Sequence, residues 1–103
     1  MKKLFISQPM KGKTDEEILR EREQAVREAE KYLKENGMQE EVQLIDSFFQ
    51  SAPVGARPLW FLGKSLELLS TADFVYFAKD WEKARGCRIE HMCAVQYELQ
   101  IIG

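Results

Sequence analysis

Four short apolar runs, separated by helical patterns, leave this chain few ways to fold. Leu4, Phe5 and Ile6 form the first run and break into Ser7, Gln8 and Pro9. Residues 42–45 (VQLI), 73–77 (DFVYF) and 99–102 (LQII) form the others. Runs of this length read as strands, the first as one buried on both faces. Between strands one and two, Thr14 followed by Glu17 makes a capping box at a helix start. Ile18, Leu19, Ala25, Val26, Ala29, Tyr32 and Leu33 then recur at helical spacing, and Asn36-Gly37 supplies a left-handed stop. Pro58 suits the first turn of a second helix over 58–70, with Leu59, Leu62, Leu66 and Leu69 as its buried stripe. A polar loop over 79–85 precedes a third helix over 86–98.

The order β-α-β-α-β-α-β predicts a three-layer α/β domain over residues 1–103. Its four-stranded parallel sheet would be flavodoxin/Rossmann-like, in order 2-1-3-4, with helices on both faces. Such sheets place ligands beyond the carboxyl ends of their strands, where the strand order reverses. Here those ends carry the loop from Ser7 to Gly12, the pair Asp46-Ser47, and Ala78, Lys79, Asp80 and Trp81.

Composition narrows the function classes. With 45% hydrophobic and 31% charged residues, the chain has the make-up of a globular protein. Fifteen Lys and Arg against 17 Asp and Glu leave a net charge of -2, without the basic excess of a nucleic-acid-polymer binder. Cys87 and Cys93 are too few for a disulfide scaffold or a zinc cluster and read as reduced thiols. No secretory apolar region opens the chain, and no run approaches the ~20 apolar residues that span a bilayer. The expectation is a cytoplasmic protein without a membrane partner.

Two segments carry candidate chemistry. Ser7, Gln8, Pro9, Met10, Lys11, Gly12 and Lys13 run from a strand end towards a helix amino terminus, where anions are favoured. The P-loop spacing is missing. A plain turn with solvated lysines fits the same residues. In the second segment, Gly86 at a loop-to-helix junction allows close backbone approach and leaves Glu90 about one turn into the helix. A carboxylate there can act as nucleophile or base. A glutamate that merely complements the helix dipole fits equally. His91, the only histidine, has no neighbours that would make a metal site. Asp46 and Asp80 lie at strand carboxyl ends, whereas Asp73 also reads as the end of a turn. Trp81 sits in a polar loop at the expected crevice. Trp60, Phe48 and Phe49 read as core or interface residues.

Taken together, FISQPMKGK, VxLIDSFF, LGKSLELLSTADFVYF and DWEKARGCRIEHMCA resemble the small, uncharacterised bacterial and phage members of the nucleoside 2-deoxyribosyltransferase-like superfamily, along essentially the whole chain. The segment from Gly86 to Ala94 is similar to the G-T-x-x-E-x-G-x-A motif of the characterised enzymes, with Cys87 in place of the threonine and Met92 in place of the second glycine. The resemblance implies that Glu90 is a nucleophile. It also implies that Lys11, Gly12 and Lys13 hold a 5′-phosphate, and that Phe5 replaces a tyrosine that places the nucleophile.

The resulting expectation is an N-glycosidic bond enzyme acting on a nucleoside or nucleotide, without metal or organic cofactor. Glu90 would attack, with Asp46, Asp73 or Asp80 as the acidic partner. Ser7, Gln8, Pro9, Met10, Lys11, Gly12, Lys13, Asp80, Trp81, Arg85, Gly86 and Arg88 would bind substrate. A non-catalytic nucleotide-binding module and an oligomeric interaction protein of the same fold remain open. Apolar residues such as Trp60, Phe61 and Phe49 predict a homodimer or higher homo-oligomer in each case.

Overall fold

The computed structural model describes residues 1–38, 41–48 and 52–102. Its elements follow one another as β1 (Lys2–Ser7), α1 (Asp15–Glu35), β2 (Val42–Leu44), α2 (Pro58–Leu69), β3 (Phe74–Phe77), α3 (Arg85–Gln96) and β4 (Gln100–Ile102), with a 3₁₀ turn at Trp81–Lys83. All three strand pairs are parallel, and the sheet order is β2-β1-β3-β4, as the alternation predicts. Leu4 sits opposite Leu44 on one side and Phe74 on the other, and Ser7 opposite Phe77. Order reverses between β1 and β3, so a crevice belongs above their carboxyl ends.

Strand alternation divides the core into two layers. Leu4, Ile6, Phe74 and Ile102 point to one face, where Ala25, Ala29 and Leu33 of α1 cover them. Phe5, Val75 and Phe77 point to the other, against Leu69 of α2 and Ala94 of α3. Each fully buried Leu, Ile, Val or Phe contributes roughly 1.5–3 kcal/mol relative to an exposed one. The same alternation sends Ser7, two residues after Phe5, towards α3.

Local signals explain the helix ends. Thr14 caps α1 by accepting from the Glu17 N–H at 3.1 Å. Its hydroxyl also meets the Glu17 carboxylate at 3.2 Å, so the capping box is not reciprocal through the backbone. At the other end Gly37 takes φ 73. The N–H groups of Gly37 and Met38 return to the Lys34 and Leu33 carbonyls, closing a Schellman motif.

The structure corrects three sequence expectations of burial. Leu19 is 45% exposed, and the buried stripe of α1 instead runs Ile18, Arg22, Ala25, Ala29, Leu33. Leu59 is 75% exposed, because the first turn of α2 stands over the crevice and not over the sheet. Only Leu69 of the expected α2 stripe is fully buried. Phe49 lies outside the described residues. Both cysteines are free thiols, Cys87 buried and Cys93 half-buried. No helix among the described residues is long and apolar enough to cross a membrane.

Asp73 is placed away from the crevice. It precedes β3, and its carboxylate accepts from the Lys3 N–H at 2.8 Å, fixing the amino-terminal register of β1 against β3. Ser7 pairs with Phe77 at the far end of that strand, about 13 Å of extended chain away. Asp73→Ala is therefore expected to lower stability by about 0.5–1 kcal/mol in urea unfolding, the worth of one exposed hydrogen bond, without altering the crevice.

Candidate functional site

An open cleft of about 1570 Å³ lies above the carboxyl ends of β1 and β3. One wall is the loop after β1. Its tip is a turn closed by the Lys13 N–H on the Met10 carbonyl at 3.2 Å, with Gly12 at φ 81 as the turn requires. That turn holds Lys11 at its corner. The opposite wall comes from the first turns of α2 and α3. Leu59, Phe61 and Leu62 make its apolar part, and Arg85, flanked by Ala84 and Gly86, its charged part.

Glu90 lies on this cleft and is 7% exposed. It sits one turn into α3, where helical spacing brings Cys87 and Glu90 onto one face. Ser7 at the end of β1 donates its hydroxyl to Glu90 Oε1 at 2.7 Å. Burial pushes the Glu90 carboxyl above the ordinary carboxylate range, while Ser7, and more weakly Ser65 from α2, favour its charged form. Burial likewise raises the Cys87 thiol, opposed by Ser7 and reinforced by the Glu90 charge. A thiol held protonated is a weak nucleophile. Glu90 and Cys87 thus share one face of α3 at the cleft, and burial favours the protonated form of both.

Behind the loop, Arg22 is 3% exposed and ties two segments together. Its guanidinium donates to Gln8 Oε1 at 3.0 Å, to the Ile45 carbonyl at 2.9 Å and to Ser47 Oγ at 3.2 Å. Burial lowers its pKa, and the charge of Asp46 acts in the opposite sense. Gln8 Nε2 in turn reaches the Ile18 carbonyl and Glu21, each at 3.3 Å, and Lys13 Nζ pairs with Glu21 at 2.8 Å. One network thus fixes Gln8, Lys13 and Ser47, all of which line the cleft.

The cleft selects among the residues expected from sequence. Gln8, Pro9, Met10, Lys11, Lys13, Asp80, Arg85, Gly86 and Glu90 line it, and Ser7 supports Glu90 from beneath. Gly12 shapes the loop without lining it. Trp81 is turned away, stacked on His91 at 4.2 Å and tilted against Phe77. Arg88 donates to the Glu82 carbonyl at 3.0 Å outside the cleft. Asp46 is exposed and serves as counter-charge to Arg22, and Asp73 is at the other end of its strand. Of the three acid candidates only Asp80 reaches the cleft, in a left-handed conformation (φ 67) and paired with Lys83 at 3.4 Å. Among the described residues no group of three or more His, Cys, Asp or Glu is placed to hold a metal.

Over residues 2–103 the chain matches the family model described as domain of unknown function (DUF4406). It belongs to the DUF4406 family. No curated protein and no solved structure matches it. Sequence reasoning did not single out Arg22, Arg57 or Ser65 of this DUF4406 chain, which the structure places at or behind the cleft, and it placed Ser47 only at a strand end. Arg22 had a signal, since it falls four residues after Ile18 and three before Ala25 on the buried stripe. Ser47 had its place just past the carboxyl end of β2, whereas Arg57 had none, because its approach to the cleft depends on the path of the chain before α2. Ser65 follows Leu62 by three residues on the cleft side of α2, a signal visible only once that side is known.

Proposed function

We propose that this chain cleaves or exchanges the N-glycosidic bond of a deoxynucleoside or its 5′-monophosphate, with Glu90 as nucleophile. The observation that carries this reading is the buried Glu90 carboxylate, held by Ser7 at the floor of a cleft with an apolar wall and cationic rims. A nucleoside matches those surfaces: base against Phe61 and Leu62, phosphate towards Lys11 and Lys13. The likeness of the segment from Gly86 to Ala94 to the deoxyribosyltransferase motif points the same way.

In this scheme a Glu90 carboxylate oxygen bonds to the anomeric carbon as the C–N bond breaks, and its electron pair leaves with the base. Asp80, the other carboxylate of the cleft, assists the departing base. Water or a second base then attacks the glycosyl ester, freeing Glu90. The test is base release or exchange from deoxynucleosides and their monophosphates, with Glu90→Gln as control. No release from any of them, or equal release by the variant, removes Glu90 as nucleophile.

A second reading keeps the nucleotide and drops the turnover. It is favoured by Phe5, which lines the cleft with a phenyl ring and brings no hydroxyl. Thermal shifts with nucleotides in the absence of base release would support it. Free thiols at Cys87 and Cys93 fit a reducing, cytoplasmic setting for either reading.

The apolar surface of α2 supports self-association. Leu59 is exposed, and Trp60, edge-on to Phe61 at 5.1 Å, is only half-buried. Sedimentation at micromolar concentration is expected to give a dimer or larger species, and Leu59→Glu to shift it towards monomer; a monomeric parent chain would contradict this.

A further inference from the structure

The cationic rim of the cleft exceeds what one phosphate needs. Five cations line it, Lys11, Lys13, Arg57, Lys83 and Arg85, against the carboxylates Asp80 and Glu90. Lys13 is paired with Glu21 and Lys83 with Asp80. Among the described residues, Lys11, Arg57 and Arg85 have no ion-pair partner. These three come from separate parts of the fold: Lys11 from the turn after β1, Arg57 from the residue before α2, and Arg85 from the start of α3. Such a concentration of positive charge stands out in a chain whose net charge is -2. Charges of one sign focused in a cleft raise the local concentration of the opposite ion.

Size points the same way. At about 1570 Å³ the cleft is larger than the ~300–1,000 Å³ of ordinary small-molecule sites. A volume of this size has room for more than a mononucleotide. Arginine forks suit two neighbouring phosphate groups, each accepting a bidentate pair.

We infer that the cleft takes a ligand with two adjacent phosphates, a nucleoside 5′-diphosphate or an ester of one, spanning from Lys11 to Arg57 and Arg85. This rests on the nucleotide reading above and names its substrate class. The phosphoanhydride would lie across the mouth between the β1 loop and the starts of α2 and α3. The sugar would then be nearest Glu90, with the base against the apolar face of α2.

The test is calorimetric titration of the full chain with inorganic phosphate, pyrophosphate, dAMP and dADP. dADP is expected to bind at least about tenfold more tightly than dAMP, and pyrophosphate more tightly than phosphate. Arg57→Gln and Arg85→Gln are each expected to reduce the dADP-to-dAMP affinity ratio several-fold, and the double variant to bring it near one. Both arginines are exposed, so folding should survive, which an unchanged Tm would verify. Arg27→Gln removes the same charge from an exposed position on α1 and should leave the ratio as it was. Equal binding of dADP and dAMP, or a preference that survives the double variant, would overturn the inference. Binding of pyrophosphate with no gain for dADP over dAMP would also overturn it, by showing a phosphate site detached from the nucleotide. A dADP preference lost in the double variant upholds it even if no base is released, in which case only the glycosidic chemistry falls. Base release from dAMP without a dADP preference gives the reverse.

Discussion

Glu90→Gln is expected to lower base release or exchange by at least about a thousandfold, while raising the stability of the protein at neutral pH. The two effects share one cause. Burial disfavours the charged carboxylate, so the folded state holds the Glu90 proton more tightly than the unfolded chain does. Between the ordinary carboxylate range and the raised folded value, the folded state binds more protons, and stability falls as pH rises. Stability contributed by protonated Glu90 is thus complete in mild acid and lost as the group ionises. Glutamine keeps the shape and the Ser7 contact but carries no charge to desolvate. Thermal melts across pH 4–9 should show a decline in the parent chain that the variant lacks, with a gain at neutral pH of several degrees, about what 1 kcal/mol gives in a domain of this size.

Catalysis makes the opposite demand on the same titration. A nucleophilic carboxylate must be ionised, so kcat/KM should rise with pH over the window in which stability falls. Ser7 shapes both curves, because its hydroxyl donates to the charged form at 2.7 Å. Coincidence of the rate and stability profiles, and their joint loss in Glu90→Gln, would identify one group behind both. A rate profile that ignores the stability transition would assign the chemistry elsewhere.

The parallel α/β architecture, its helix ends and the side of the sheet that carries the cleft were legible because they follow from strand length, alternation and the position of Gly and Pro. Local chemistry decides such features: Thr14, Asn36-Gly37 and Pro58 act within a few residues of themselves. The partners of Glu90 were not legible. Ser7 lies 83 residues away in sequence, and their contact depends on register and on the face α3 presents. Asp73 illustrates the reverse error. Its residue type suited an acid partner, but its place at the amino end of β3 makes it a register clamp. Leu59 shows why periodicity misleads on a cleft wall, since an apolar stripe covers whatever lies opposite, and here part of that is open space.

Arg22→Met should be strongly destabilising, at about 3–5 kcal/mol, a large fraction of what holds a domain of this size together. The methionine side chain fills the guanidinium's place with apolar atoms but satisfies none of its partners. Gln8 Oε1, the Ile45 carbonyl and Ser47 Oγ would each lose a donor in a buried setting, and each unsatisfied group costs about 1–3 kcal/mol before relaxation. Arg22→Lys retains the charge but not the fork, so it should recover only part of the loss. The consequence extends to the site, because Arg22 holds Gln8 on one cleft wall and Ser47 beside it. Freed from Arg22, the loop bearing Lys11 and Lys13 would keep its own Lys13–Met10 turn bond, the Glu21 contacts of Gln8 and Lys13, and the Gln8 bond to Ile18. In urea titrations the lysine variant should fall between the parent and the methionine variant. Its nucleotide affinity should drop further than its stability alone explains. Equal stability of all three would show that burial of the cation offsets everything its hydrogen bonds contribute, which is the one physical route by which this buried arginine could be dispensable.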